Sequence, residues 1–292
     1  MQRFTASSSN DYREVRSPVA ADDERAWSLR RAFAPDATPF DLQPAVPIGG
    51  TGSSHPLVSK LQRFLPLDGD EAAALERLTC GARMLPAEHV LFHEDSRPEH
   101  VCVILSGMAY RYKLLPGGRR QILGYLIPGD VCDTHFVLFN QPDHCLALAS
   151  DSLIAKVPLR AVSVVVARYP RIERALMLAA LLDHAILREW LLNIGQRNAV
   201  QRLGHFLCEM HLRAEAVGLV ALDGSVAMPI NQAALADSIG QTPVHVNRTL
   251  QRLRKDNLIL LRQRRLTILD PSRLAEESGF DAQYLRALHM CG

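Results

Sequence analysis

Nowhere in the 292 residues do apolar side chains run on for the ~20 positions that a membrane-crossing helix needs, so no membrane association is expected. The most apolar stretch, residues 175–182, is soon broken by Asp183, His184, Arg188 and Glu189. A secretory leader is not expected either, because Met1-Gln2-Arg3-Phe4-Thr5 opens without the apolar segment such a leader carries. Cysteine is scarce: there are six, none before Cys80, which is too few for a disulfide scaffold at this length and fits a reducing cytoplasm. A strong charge imbalance is missing as well. The net charge of +2 says nothing about partners until the positions of the charges are considered. With 48% hydrophobic and 22% charged residues the composition is that of a globular protein, and the length allows two domains at roughly 100–200 residues each.

Residues 1–55 lack a sustained apolar period. Ser7-Ser8-Ser9, several prolines and Gly49-Gly50-Thr51-Gly52-Ser53-Ser54 make a polar, breaker-rich extension that is expected to be disordered, with residues 27–33 the candidate for one short helix. Pattern begins at His55-Pro56. Leu57, Leu61, Phe64 and Leu65 have helical spacing; Asp68 is then a good N-cap for a helix over 70–78 whose Ala72, Leu75 and Leu78 share a face.

Between 82 and 157 the texture changes. Short runs rich in apolar or β-branched residues at 89–92, 101–105, 109–115, 121–127 and 146–157 are separated by turn signals at Pro98, Ser106-Gly107, Pro116-Gly117-Gly118 and Pro128-Gly129-Asp130. Even spacing with Gly/Pro punctuation predicts a small β-barrel or jelly roll. From Leu159 the period is helical: a short helix over 159–167 stops at Tyr169-Pro170, and a long one follows over 171–195. Its Ile172, Leu176, Ala179, Leu182, Ile186 and Trp190 form one stripe, and Leu178, Leu181 and Ala185 another. Two stripes require cover on two sides, which predicts the barrel on one and the same helix of a second copy on the other. The first stripe is the one assigned to that dimer seam. Gly195 and Asn198 interrupt the pattern and mark a joint near 193–198, before Leu203, Phe206 and Leu207 resume it.

The sharpest local signal lies between Pro229 and Leu261. Asn231 caps a helix that Gly240 ends, and Thr242-Pro243 supplies an N-cap and a first-turn proline for the next. Leu235, Ile239, Val246, Leu250 and Leu253 would be buried, leaving Thr242, Pro243, Val244, His245, Asn247, Arg248, Gln251 and Arg252 toward solvent or a DNA groove. A strand over 258–261, the basic Arg262-Gln263-Arg264-Arg265 and a strand over 266–269 read as a hairpin wing. Arg248, Arg252, Arg254, Lys255, Arg262, Arg264 and Arg265 are opposed locally by Asp256, the clustering expected for phosphate contacts.

Thr242-Pro243-Val244-His245-Val246-Asn247-Arg248-Thr249-Leu250, with Asp256-Asn257-Leu258-Ile259 behind it, resembles the DNA-binding segment of Crp/Fnr regulators. Upstream, Leu105-Ser106-Gly107, Gly117-Gly118-Arg119-Arg120-Gln121-Ile122-Leu123 and Ile127-Pro128-Gly129-Asp130 are similar to that family's β-roll. The resemblance covers about residues 56–275. It implies an α+β chain with a β-roll (jelly-roll barrel) sensor over 56–169, a dimerisation helix over 170–197 and a winged helix-turn-helix over 198–275; the disordered extension over 1–55 and a tail over 276–292 stay outside it. It further implies a homodimer on a double-stranded DNA operator, RNA polymerase as a partner, and no enzymatic activity. Arg248 matches the family's guanine-gripping arginine, while Val244 stands where the family carries glutamate and Asn247 where it carries serine.

The effector stays unknown. Cyclic-nucleotide members of the family clamp the ligand with a Gly-Glu and an Arg-Ser or Arg-Thr pair. Here no glycine lies between Gly129 and Gly195, no arginine lies between Arg120 and Arg160, and His144-Cys145 stands near the expected arginine position. The N-terminal cysteines of the family's iron–sulfur members are missing too. Cys132, His135, His144 and Cys145 are candidates for a metal or redox site, against the alternative of small buried hydrophobes. Two other readings remain at this point: an enzyme that a helix-turn-helix targets to DNA, and a redox- or metal-sensing interaction module with a degenerate barrel.

Overall fold

The structure is a computed structural model, and it describes residues 55–132 and 141–289. Of the extension expected to be disordered over 1–55, residues 1–54 lie outside the described residues, as does the short helix expected at 27–33, and His55 is the N-cap residue of the first helix. Helix α1 (Pro56–Gln62) leads into α2 (Gly69–Leu78), whose start is fixed as the sequence predicts: Asp68 accepts from Glu71 N, and the Glu71 side chain accepts from Asp68 N.

Eight strands follow: β1 (Arg83–Leu85), β2 (Val90–Phe92), β3 (His100–Ser106), β4 (Ala109–Leu114), β5 (Arg120–Leu126), β6 (Val131–Cys132), β7 (Cys145–Leu148) and β8 (Ser152–Pro158). They form two four-stranded antiparallel sheets, ordered β1-β8-β3-β6 and β2-β7-β4-β5. This is the expected roll, with one refinement. The run read as a single strand over 146–157 is broken by a turn at Ala149-Ser150-Asp151, so that its halves serve different sheets. Phe92, Ile104, Leu126, Leu146, Leu148 and Ile154 fill the space between the sheets.

Helix α3 (Leu159–Arg168) ends at Tyr169, and Pro170 opens the 27-residue α4 (Pro170–Gln196). Ile172, Leu176, Leu182, Ile186 and Trp190 are all buried within the same chain, and Ala179 is half-buried. The assignment of this stripe to a partner copy is therefore corrected. It packs on the chain's own roll and on the domain that follows, because those surfaces also need apolar cover. The face left outside carries Met177, Leu181, Leu187 and Leu191, 46–75% exposed.

Asn198 caps α5 (Ala199–Ala216), accepting from Val200 N and Gln201 N, so the joint expected near 193–198 is a true helix boundary. After the short β9 (Val226–Ala227) come α6 (Gln232–Ile239), α7 (Pro243–Lys255), β10 (Ile259–Arg262), β11 (Arg265–Ile268) and α8 (Pro271–Ser278). A 3₁₀ helix (Ala282–His289) follows. The segment read as a tail is thus part of the fold. Leu285 and Leu288 are fully buried, and the Tyr284 hydroxyl donates to Glu209 at 2.9 Å. Among the described residues no helix is long and apolar enough to cross a membrane.

Candidate nucleic-acid interface

Local chemistry builds the helix pair. The Asn231 side chain accepts from Ala234 N at 2.8 Å and starts α6; Gly240, at φ 63°, ends it in the left-handed region that glycine enters without strain. The Thr242 hydroxyl then accepts from His245 N at 3.3 Å, and Pro243 occupies the first turn of α7. Leu235, Ile239, Val246, Leu250 and Leu253 are buried between the helices, so the expected inner face is the observed one. Thr242, Pro243, Val244, His245, Arg248, Gln251 and Arg252 are exposed, and Asn247 is half-buried beside them. Val244 is 68% exposed.

The wing is a hairpin in which Ile259 faces Ile268 and Arg262 faces Arg265. Gln263 and Arg264 both adopt positive φ, 49° and 59°, the backbone that a two-residue hairpin turn requires. The basic residues are not equivalent. Arg264 projects at the tip. Arg265, exposed but tethered, donates to Ser225 Oγ at 2.7 Å and to Ser225 O at 3.1 Å, and so braces the wing. Arg254 donates to Leu261 O at 2.9 Å and ties α7 to β10. Arg252 lies 3.7 Å from Asp256, a loose exposed pair worth little. What the surface offers is a helix with guanidinium and amide groups along one side, flanked by a cationic turn.

The cysteine–histidine candidates do not converge. Cys132 faces Cys102 across the β3–β6 ladder inside the roll, whereas Cys145 lies in the other sheet and a different packed cluster, its sulfur accepting from Glu94 N. His144 is buried, edge-on to Phe92, with Nδ1 2.8 Å from Asp143. His135 lies outside the described residues. Among the described residues no group of three or more His, Cys, Asp or Glu is arranged to hold a metal.

A buried line of charge with no sequence signal joins α1, the roll and α5. Lys60 lies 2.8 Å from Asp130, Asp130 lies 3.2 Å from Arg213, and Arg213 lies 3.4 Å from Glu209. Trp190 Nε1 donates to both Glu209 oxygens at 3.1 Å. Burial opposes ionisation of Asp130, yet Lys60 and Arg213 hold its carboxyl below the usual range. Burial pushes Glu209 up, against Arg213, Trp190 and Tyr284, which lower it. Removing one partner from such a line costs about 3–5 kcal/mol, because the remaining charge stays buried. Nearby, His205 packs against Phe280 and Tyr284. Glu189 is 3.1 Å from its Nε2, but Arg197 claims that carboxylate oxygen at 2.6 Å, and burial together with the Arg197 charge brings the imidazole down to about 3. The partners are invisible in sequence because they come from distant elements.

A β-roll joined through a long helix to a winged helix-turn-helix with an exposed basic face is the architecture of a DNA-binding transcriptional regulator. Comparison with known proteins gives the family. Residues 82–169 match the cyclic nucleotide-binding domain and residues 201–277 the Crp-like helix-turn-helix domain. The chain is 30% identical over 213 residues to the transcriptional activatory protein AadR of Rhodopseudomonas palustris, covering 71% of this chain and 84% of that one. It is 27% identical over 209 residues to the nitrogen fixation regulation protein FixK of Bradyrhizobium diazoefficiens, covering 71% and 86%. The solved structure of FixK2 from Bradyrhizobium japonicum superposes with a TM-score of 0.58 at 24% identity, covering 67% of this chain and 96% of that chain. The chain belongs to the Crp/Fnr family, whose members bind DNA and act as dimers.

Proposed function

We propose that the protein works as a homodimer joined along the outer face of α4, placing two copies of α7 in successive major grooves of a two-fold symmetric operator. The observation that carries this reading is the presentation of α7: its first turns stand clear of the chain's own body, with Val244, His245 and Arg248 exposed together. The apolar line Met177, Leu181, Leu187 and Leu191 gives the second copy its surface. Arg248 pairs bidentately with guanine, Asn247 reads adenine, and Val244 meets a thymine methyl where the family's glutamate would accept from cytosine. Thr242, Gln251, Arg252 and Arg264 hold the backbone. Activation would bring RNA polymerase as a partner, in keeping with the name given to AadR.

The effector in this reading is not a cyclic nucleotide. A cavity of about 310 Å³ between the roll and α4, lined by Leu123, Tyr125, Asp130, Leu182 and Ile186, is where a signal would enter. Selection of bound duplexes from a random pool tests the reading directly. The expected product has two half-sites about one helical turn apart, each with guanine at the Arg248 position and a departure from the family consensus beside it. Arg248→Ala should lose about 1–3 kcal/mol of discrimination, and Val244→Glu should move the preference toward the family consensus. Recovery of that unmodified consensus by the wild-type protein, or of no symmetric site, would overturn it.

A further inference from the structure

The helix that precedes α7 is tied to the roll by contacts that reading DNA does not itself call for. Strand β5 presents three side chains to the end of α6. Arg120 Nε donates to Asp237 Oδ2 at 2.9 Å, Gln121 Nε2 donates to Asp237 O at 2.7 Å, and the Tyr125 and Ser238 hydroxyls share a buried bond of 2.9 Å. Arg120 is set in place beforehand: it lies over the rings of Tyr110 and Tyr112 and donates to the Tyr110 hydroxyl at 3.0 Å. Asp237 and Ser238 sit just before Gly240 and the Thr242 cap, so this clasp holds the very turn from which α7 departs.

A second tie reinforces the first. Arg213 of α5 donates to Tyr125 O at 2.8 Å and reaches Asp130, while Lys60 reaches Asp130 from α1. Asp130 is carried there by Gly129 at φ 93°, where any Cβ would come within 2.6 Å of Pro56 O. The clasp leaves Thr242, Val244, His245 and Arg248 exposed, so it does not cover the reading face. Its physical effect is on orientation. Two recognition helices must stand about 34–36 Å apart to enter successive grooves. A reading domain that swivels on its linker must be ordered on each binding event, whereas a fixed one is ordered already.

We propose that Arg120 and Asp237 are positioning residues, which fix the direction of α7 relative to the sensor so that a symmetric site meets a pre-aligned pair of helices. This rests on the dimeric reading above. The test compares full-length wild type, Arg120→Ala, Asp237→Ala and the swap Arg120→Asp with Asp237→Arg on two duplexes: the selected two-half-site operator, and the same duplex with one half-site scrambled. Each single variant should lose tenfold or more on the two-half-site duplex and stay within twofold of wild type on the other, and the swap should recover most of the loss. Hydrogen exchange of α6 in the DNA-free protein should quicken in the single variants and slow again in the swap. Unchanged or tighter two-half-site binding, equal losses on both duplexes, or a swap that recovers nothing would overturn the proposal. Should wild type bind both duplexes equally, the dimeric reading falls instead, and exchange in α6 still decides whether the clasp holds the helix.

Discussion

Single residues in this protein divide by what their charge is asked to do. Arg264 stands at the wing tip, while Arg265 is committed to Ser225, although the two are adjacent and equally basic in sequence. Arg264→Ala should therefore lower the salt slope of log K by about one unit with no change in sequence preference, whereas Arg265→Ala should mainly loosen the wing. Titrating operator binding against salt for both variants checks this, and a change of sequence preference for Arg264→Ala would mean that the wing reads bases. His205 makes a second residue-scale case. Its folded-state value of about 3 lies below that of an unfolded histidine near 6.5. As pH falls from about 6.5 the unfolded chain takes up a proton that the folded chain refuses, so stability drops by about 1.4 kcal/mol per pH unit from this group. Denaturant unfolding of His205→Gln between pH 7 and 5 should show a shallower decline than wild type.

At the scale of elements, α4 shows how one helix serves two masters. Its buried face, with Ile172, Leu176, Ile186 and Trp190, belongs to the chain's own core; its outer face keeps Leu181 and Leu191 in solvent. Leu191→Asp should fold normally and give monomers by light scattering, with operator affinity lost. Ile186→Asp should instead destabilise the chain itself, because a carboxylate would be forced into the core. Dimers persisting in Leu191→Asp and Leu181→Asp would place the seam elsewhere. Periodicity revealed that α4 had more than one apolar stripe but assigned the wrong one to the outside: both have helical spacing, and only the neighbours packed against the helix tell its inner face from the outer one, which carries Leu181 of the second stripe with Met177, Leu187 and Leu191.

For the whole molecule, the roll and the winged domain share one continuous apolar core with α4 between them, so the sensor and the reader are not beads on a string. Polar contacts run alongside that core, from Arg213 to Tyr125 of β5 and from Gln121 of β5 to Asp237 of α6. The effector should not be cyclic AMP or cyclic GMP. Calorimetric titration of the full-length protein is expected to show no binding at micromolar concentration, and a micromolar dissociation constant would restore the family's nucleotide clamp to this chain.

Much of this architecture was set by short-range chemistry. Asp68, Asn231 and Thr242 cap helices by bonding to backbone within three residues, and Gly240 turns because it lacks a side chain, so these caps, the turn and the buried face between the two helices were legible from the chain alone. The roll was legible for a similar reason, since its strands are spaced by Gly/Pro turns that act locally. Only the tertiary structure decided the pairs that cross between domains. Arg213 finds Asp130 across 83 positions and Arg120 finds Asp237 across 117, while the last residues fold back so that Tyr284 reaches Glu209. Each of those residues is an ordinary polar side chain in sequence, and its role comes from a burial and a partner that exist only once distant elements have packed.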